Sequence, residues 1–192
     1  VVRAANALKS LGIGKGDRVG LFLPMLPETA ISALAAAQIG AIFVPIFSGY
    51  AAEAAATRLQ DAEARLIITA DGFYRRGSQV KLLDNARTAA ALSPSVEQLL
   101  VVRRFGNVAL APSEVAWDQL VPQQASTASY EPMDSMDPFM LIYTSGTTGK
   151  PKGTVHYHAG FPIKAAQDMA HLFDLQKHET LFWFNDMGWM IG

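Results

Sequence analysis

Residues 143–153 of the chain read Tyr-Thr-Ser-Gly-Thr-Thr-Gly-Lys-Pro-Lys-Gly. They follow a short apolar run, Phe139 to Tyr143, which predicts a buried strand. Glycines let backbone N–H groups approach an anion, hydroxyl side chains donate hydrogen bonds to phosphate oxygens, and lysines supply positive charge. A strand that leads into such a loop predicts a phosphate-binding site.

The spacing of this loop excludes the Walker P-loop, G-x-x-x-x-G-K-[ST]. Only two threonines separate Gly146 from the Gly149-Lys150 pair, and Pro151 follows in place of Ser or Thr. A P-loop kinase or GTPase is therefore disfavoured. The structural alternative is an ordinary Gly/Thr-rich surface loop, but loop composition alone does not require Lys-Pro-Lys-Gly behind Ser-Gly-Thr-Thr-Gly.

Composition indicates a globular protein, because 50% of the 192 residues are hydrophobic and 17% are charged. The net charge of −1 gives no reason to expect binding to nucleic acid or to an anionic membrane. The chain has no cysteine, which excludes disulfides and thiolate metal sites and fits a cytoplasmic, reducing location. Thr29 to Phe47 is long enough to span a bilayer, but Gln38, Gly40 and Pro45 interrupt it, so we expect no membrane insertion.

The order of predicted elements indicates an α/β fold with a parallel sheet. Strands are predicted at 18–23, 41–47 and 65–69, and they alternate with helices at 27–39 and 48–62, the second capped by Ser48. A first helix ends at Gly12, whose Gly-x-Gly turn lacks the preceding strand that a dehydrogenase fingerprint needs. Further along, we predict helices at 81–92 and 165–172, a strand at 98–103 and a short helix or turn at 115–120. Residues 121–137 form a polar surface loop and a possible subdomain seam.

The string YTSGTTGKPKG resembles the phosphate-binding sequence of the AMP-forming adenylating enzymes, which include acyl-CoA synthetases, luciferases and peptide-synthetase adenylation domains. Residues 16–50 also resemble the early segment of acetyl-CoA-synthetase-like members. The resemblance implies parallel-sheet layers with flanking helices, as part of the large N-terminal domain of an adenylating enzyme. One departure is Thr154, where the family usually has a small aliphatic residue.

The resemblance implies that the loop holds the pyrophosphate part of ATP while a carboxylate attacks the α-phosphate. Lys152 would be the catalytic residue that neutralises charge on the departing pyrophosphate, and Mg²⁺ would bridge the phosphates. The implied phosphate-binding residues are Thr144, Ser145, Gly146, Thr147, Thr148, Gly149 and Lys152.

Two further segments resemble substrate-contacting parts of the family. Arg75 and Arg76 lie in a Gly-bounded loop where acetyl-CoA-synthetase-like members contact coenzyme A, although a solvated basic turn explains them equally well. An aromatic run predicted as a strand, 180–184, precedes an Asp-x-Gly-Trp sequence. By resemblance, the acyl pocket would be lined by Trp189, Met190 and Ile191. Acetate enzymes usually carry Thr in place of Ile191, which leaves the acid open.

His156 and His158 alternate along the chain and could face one side as a metal pair, but no third ligand has a clear spacing. We therefore predict no metal site on the protein itself. His156 is better interpreted as a structural residue or one near the acyl site.

We expect an N-terminal-side fragment of an AMP-forming acyl-CoA synthetase, inactive without the remainder of the polypeptide, with a carboxylic acid, ATP and coenzyme A as substrates. The family's later acidic motif and its C-terminal catalytic lysine are absent from these residues. Two alternatives remain. The acyl acceptor could differ, as in transfer to a carrier protein, or the chain could be a nucleotide-binding module without chemistry of its own.

Overall fold

A computed structural model describes residues 1–106, 108–127, 129–144 and 150–189. The helices are α1 (Val2–Ser10), α2 (Pro27–Gln38), α3 (Ala52–Asp61), α4 (Leu82–Leu92), α5 (Trp117–Leu120) and α6 (Gly160–His171). The strands are β1 (Arg18–Phe22), β2 (Ile42–Pro45), β3 (Leu66–Ala70), β4 (Phe73–Arg75), β5 (Ser78–Val80), β6 (Gln98–Val102), β7 (Glu114–Ala116), β8 (Pro138–Thr144) and β9 (Lys152–Tyr157).

A seven-stranded sheet with the order β7-β6-β3-β1-β2-β8-β9 forms the centre of the fold. Its neighbours are parallel except β8 and β9, which are antiparallel. The prediction of an α/β fold with a parallel sheet is confirmed. Because parallel strands point the same way, the loops that follow β1, β2, β3 and β8 open at one edge of the sheet, where open α/β sheets bind their ligands.

The core has two layers because successive side chains of a strand point to opposite faces of the sheet. Ile68 packs on the face covered by α1 and α2, whereas Ile67 packs on the face covered by α3 and α4. The alanine-rich helix α2 lies close to the sheet, with Ala35 and Ala36 fully buried. Strands buried on both faces carry mostly apolar side chains, so polar side chains that could bind a ligand are expected at the strand ends.

Three predicted boundaries are wrong. Helix α3 begins at Ala52 rather than at Ser48, because the Ser48 hydroxyl donates to the Asp186 carboxylate instead of capping a helix. Residues 114–116 form strand β7 beside β6 rather than part of a short helix. Residues 180–184, predicted as a strand, pair with no described strand, and Phe182 and Phe184 are 84% and 92% exposed. Apolarity alone does not form a strand, which also needs a hydrogen-bonding neighbour.

The polar segment 121–137 packs along the amino-terminal helix. The Asn6 side chain donates to the carbonyl oxygens of Ala125 and Thr127 at 2.9 and 3.1 Å, and Lys15 pairs with Asp137 at 2.9 Å. A subdomain seam there stays a prediction. Within the described ranges, no helix is long and apolar enough to cross a membrane.

An ion pair between a buried carboxylate and a partly exposed guanidinium attaches the edge strand β7 to α4. Arg87 donates to both oxygens of Glu114 at 2.7 and 2.8 Å, and the Ala111 amide donates to the same carboxylate. The Glu114 side chain is only 3% exposed. Because the Arg87 hydrogen bonds stabilise the ionised form, the pKa of Glu114 is lowered despite its burial.

We predict that Arg87→Ala lowers the free energy of unfolding by about 3 kcal/mol, because it leaves the Glu114 carboxylate buried without its counter-ion. The matched control is Arg103→Ala. The side chain of its partner Asp118 is 57% exposed, so loss of this ion pair should lower the free energy of unfolding by less than about 1 kcal/mol. Urea-induced unfolding measures both. Equal losses in the two variants would contradict the prediction.

Candidate active site

The two ends of the Gly- and Thr-rich motif are held opposite each other by the β8–β9 pair. Thr144, the last residue of β8, pairs with Lys152, the first residue of β9. Gly153 pairs with Tyr143, and a side chain on Gly153 would lie 2.9 Å from Leu141 and 3.3 Å from the Tyr143 ring. A glycine is therefore needed there to let the Tyr143 ring lie against β9.

The structure brings together two of the predicted phosphate-binding residues, Thr144 and Lys152. Thr144 is half-buried and Lys152 is exposed, so the lysine can reach a charged ligand without first losing its hydration. The other predicted ligands lie outside the described residues: Ser145, Gly146, Thr147, Thr148 and Gly149. Their role stays a prediction.

A second part of the site forms where residues 185–189 contact the loop that follows β2. The Asp186 carboxylate accepts hydrogen bonds from the Ser48 hydroxyl at 2.5 Å and from the Gly188 amide at 2.8 Å. It also accepts a longer bond from the Ser48 amide at 3.3 Å. One carboxylate thus joins two loops that are 138 residues apart in the chain.

Gly188 permits this contact because a Cβ there would lie 2.1 Å from the Phe47 backbone nitrogen. The close approach brings the Trp189 ring edge-on to the Phe47 ring, with centroids 5.5 Å apart. Trp189 is 47% exposed, so one side of its indole faces solvent. Met190 and Ile191, the other predicted acyl-pocket residues, lie outside the described residues.

Arg75 reaches the same loop from the β4–β5 hairpin. Its guanidinium lies 5.6 Å from the centroid of the Phe47 ring, and a Cβ on Gly49 would lie 2.5 Å from one of its nitrogens. Arg75 therefore lies close to the Phe47–Trp189 pair, as an exposed cation beside aromatic rings. Arg76 occupies the hairpin turn with φ +51°, and the structure does not bring it to this loop.

An apolar pocket of about 230 Å³ lies between the sheet, α6 and residues 183–187. Met25, Met140 and Met187 line it, and His156 borders it while its ring packs edge-on against Phe161. The interpretation of His156 as a residue near the acyl site stays a prediction. Met187, which lines the pocket, precedes Trp189 by two positions in the chain.

His156 in β9 and His158 just after it both pack against phenylalanine rings. The His158 ring lies edge-on to Phe139, with centroids 5.1 Å apart. Burial lowers the pKa of His158, opposed by the attraction of Asp137, and this favours the neutral ring. In the part of the chain that the structure describes, no three His, Asp or Glu side chains come together as a metal site.

Sequence reasoning missed the residues that join distant loops. Phe47, Ser48 and Gly49 follow β2 directly, and their position at the carboxyl end of a predicted strand was the available signal. Asp186 belongs to a motif that was noticed, but nothing local indicates that its carboxylate binds Ser48.

We predict that Gly188→Ala displaces residues 186–189 from the Phe47 loop, because the new methyl group would overlap backbone atoms that cannot move aside. The matched control is Gly14→Ala, where no atom lies within 4 Å of the added carbon. The Trp189 indole N–H resonance in two-dimensional NMR reports the contact with Phe47. It should shift in Gly188→Ala and stay in place in Gly14→Ala, and an unshifted resonance in the first variant would contradict the docking.

Known proteins with similar sequences indicate the family of this chain. The acetyl-coenzyme A synthetase of Streptomyces coelicolor (strain ATCC BAA-471 / A3(2) / M145) is 44% identical over 201 residues, which cover 100% of this chain and 30% of that protein. The acetyl-coenzyme A synthetase of Methanothrix thermoacetophila (strain DSM 6194 / JCM 14653 / NBRC 101360 / PT) is 43% identical over 194 residues, with coverages of 100% and 29%. The chain thus spans about 30% of the length of these curated relatives.

A solved structure has the same fold. The acetoacetyl-CoA synthetase from Streptomyces lividans superposes with a TM-score of 0.90 at 26% identity, covering 98% of this chain and 30% of that one. The sequence profile described as "AMP-binding enzyme" matches residues 1–192. With the phosphate motif at the ends of β8 and β9, these findings show that the chain belongs to the AMP-binding enzyme family.

Proposed function

We propose that the protein containing this chain is an AMP-forming acyl-CoA synthetase. In the first step a carboxylate oxygen attacks the α-phosphorus of ATP, the bond from that phosphorus to the β-phosphate oxygen breaks, and pyrophosphate leaves. In the second step the sulfur of coenzyme A attacks the acyl carbonyl carbon, and AMP leaves with the electrons of the broken C–O bond.

The observation that carries this proposal is the pairing of Thr144 with Lys152 at the two ends of the Gly- and Thr-rich motif. The hairpin gives a hydroxyl and an ammonium group at one strand end, where a polyphosphate can be bound. Family membership and the names of the relatives support the same reaction. No residue of the motif is required to form a covalent bond, so its role is positioning and charge neutralisation.

Thr144 and Lys152 would have different roles in the adenylation step. The Thr144 hydroxyl would donate to a phosphate oxygen, and Lys152 would neutralise the negative charge that develops on the departing pyrophosphate. We include Ser145, Gly146, Thr147, Thr148 and Gly149 in this phosphate site by their place in the motif. Mg²⁺ would bridge the phosphates, with carboxylates supplied from elsewhere in the protein.

The Arg75 region is proposed to bind coenzyme A. A guanidinium suits phosphate groups, and the aromatic rings of half-buried Phe47 and exposed Trp189 suit an adenine or an acyl thioester. Arg76 is exposed in the neighbouring turn and is the weaker candidate, since only Arg75 contacts the Phe47 loop.

For the acyl side we propose Trp189, Met190 and Ile191, and we add the apolar pocket that Met187 lines. A short acid such as acetate or propionate is the first choice because the similar proteins include acetyl-coenzyme A synthetases. Medium-chain, branched and aromatic acids follow, because Ile191 stands where acetate enzymes usually carry Thr and because methionines give a pocket an apolar, adaptable lining. We propose a cytoplasmic location, where ATP and coenzyme A are available.

Carboxylate-dependent exchange between ATP and pyrophosphate tests the proposal. The assay uses the gene's intact product and the 192-residue chain in parallel, with acids of increasing length. Exchange by the intact product alone would support an adenylating enzyme of which this chain is one part, and would rank the acids. Absence of exchange with every acid, while ATP still binds, would favour a nucleotide-binding module and overturn the synthetase.

We predict that Lys152→Ala in the intact protein lowers the exchange rate by about 10²–10³-fold, because loss of a preorganised group at the developing charge costs about 2.7–4 kcal/mol. ATP affinity should change far less. Lys9→Ala on α1, an exposed lysine away from the hairpin, is the matched control and should exchange at the wild-type rate. A wild-type rate in Lys152→Ala would remove the assigned role.

A further inference from the structure

A hydrogen bond joins helix α3 to Tyr143, which precedes Thr144 near the end of β8. The Tyr143 hydroxyl donates to the Asp61 carboxylate at 2.6 Å, although the two residues are 82 positions apart in the chain. Tyr143 is 5% exposed, whereas Asp61 at the end of α3 is exposed. The bond therefore joins a buried ring to a carboxylate at the surface.

Arg58, one turn earlier on α3, fixes the other side of this contact. It is 6% exposed and donates to the Ala54 carbonyl at 2.6 Å and to the Tyr50 hydroxyl at 3.1 Å. Its guanidinium carbon lies 4.2 Å from the Tyr50 ring centroid and 5.9 Å from that of Tyr143. A buried cation over two aromatic rings holds the Tyr143 ring in one orientation.

The hydroxyl of Tyr143 is not needed to fill space in the core. Phenylalanine has the same ring, so packing alone does not explain the tyrosine. Burial, together with the Asp61 hydrogen bond, raises the pKa of Tyr143 well above its usual value. The phenol therefore stays protonated and keeps donating throughout the physiological pH range.

The contact lies beside both described ends of the phosphate motif. A pocket of about 430 Å³ is lined by Asp61 and Tyr143 on one side and by Lys150 and Pro151 on the other. Through the β8–β9 pairing, a shift of Tyr143 moves Thr144 and its partner Lys152 together. The positions of the Thr144 hydroxyl and the Lys152 ammonium group thus depend on where α3 holds Tyr143.

We propose that Tyr143, Asp61 and Arg58 are positioning residues that set Thr144 and Lys152 for the adenylation step. This inference rests on the proposed function. The hydrogen bonds that define this role are made to other protein groups. They act by fixing the strand end to α3, so their loss should impair the chemical step more than it impairs substrate binding.

The test compares the intact wild-type protein with Tyr143→Phe in the carboxylate-dependent exchange assay. We expect kcat to fall about tenfold in Tyr143→Phe, as for loss of one hydrogen bond to a charged group, with KM for the acid unchanged. Tyr157→Phe is the matched control. Tyr157 is in the same hairpin, at the end of β9 away from the motif, and should keep the wild-type kcat.

Variants of the acceptor separate positioning from folding. Asp61→Asn keeps an oxygen that can accept from the phenol and should stay within about threefold of wild type, whereas Asp61→Ala should lose about as much as Tyr143→Phe. The double variant Tyr143→Phe/Asp61→Ala should be no slower than either single variant, because both remove the same bond. Arg58→Gln should likewise lower kcat.

The outcomes are distinguishable. Absence of exchange in the wild type would overturn the proposed function and this inference with it. Exchange in the wild type with an unchanged kcat in both Tyr143→Phe and Asp61→Ala would overturn the positioning role alone. If Tyr143→Phe fails to fold, the Asp61 pair decides: equal rates for Asp61→Asn and Asp61→Ala would overturn the proposal.

Discussion

Burial of a parallel sheet on both faces is the constraint on which the rest of the structure depends. Inside the central strands β1 and β3 the side chains are apolar except for the buried Thr69, and α1, α2, α3 and α4 cover both sides. No polar group can be placed there without losing its hydration. Thr144 and Ser48 of the candidate site accordingly lie at or just after the carboxyl ends of β8 and β2, where parallel pairing gathers them at one edge.

Much of the fold could be predicted because its signals are local. The helix over Pro27–Gln38 and the strand over Leu66–Ala70 follow from apolar spacing and from Pro and Gly at their ends. The phosphate motif was recognisable for the same reason, since its residues are contiguous. The boundary at Ser48 was wrong because a serine after a strand satisfies the local rule for a cap, while its actual partner, Asp186, lies far along the chain.

The residues of the candidate site also fall into those with a local sequence signal and those whose partners are distant in the chain. Thr144 and Lys152 belong to one contiguous motif, although the strand β9 that pairs them was not predicted, whereas Arg75 and Phe47 are far apart in the chain and meet only in the folded protein. Nothing in the sequence near Tyr143 points to Asp61 or Arg58 either. The aromatic run at 180–184 failed as a strand because large apolar residues signal burial but do not supply a hydrogen-bonding neighbour.

The contact between Asp186 and Ser48 has a consequence for the order of folding. Closing a loop of 138 residues costs chain entropy that one carboxylate cannot offset, so the contact can form only after the sheet has brought β2 into place. The β8–β9 hairpin closes over a few residues and can form early. The hairpin end of the candidate site is thus set by local pairing, whereas the contacts of Asp186 and Trp189 with the loop after β2 can form only once the sheet is complete.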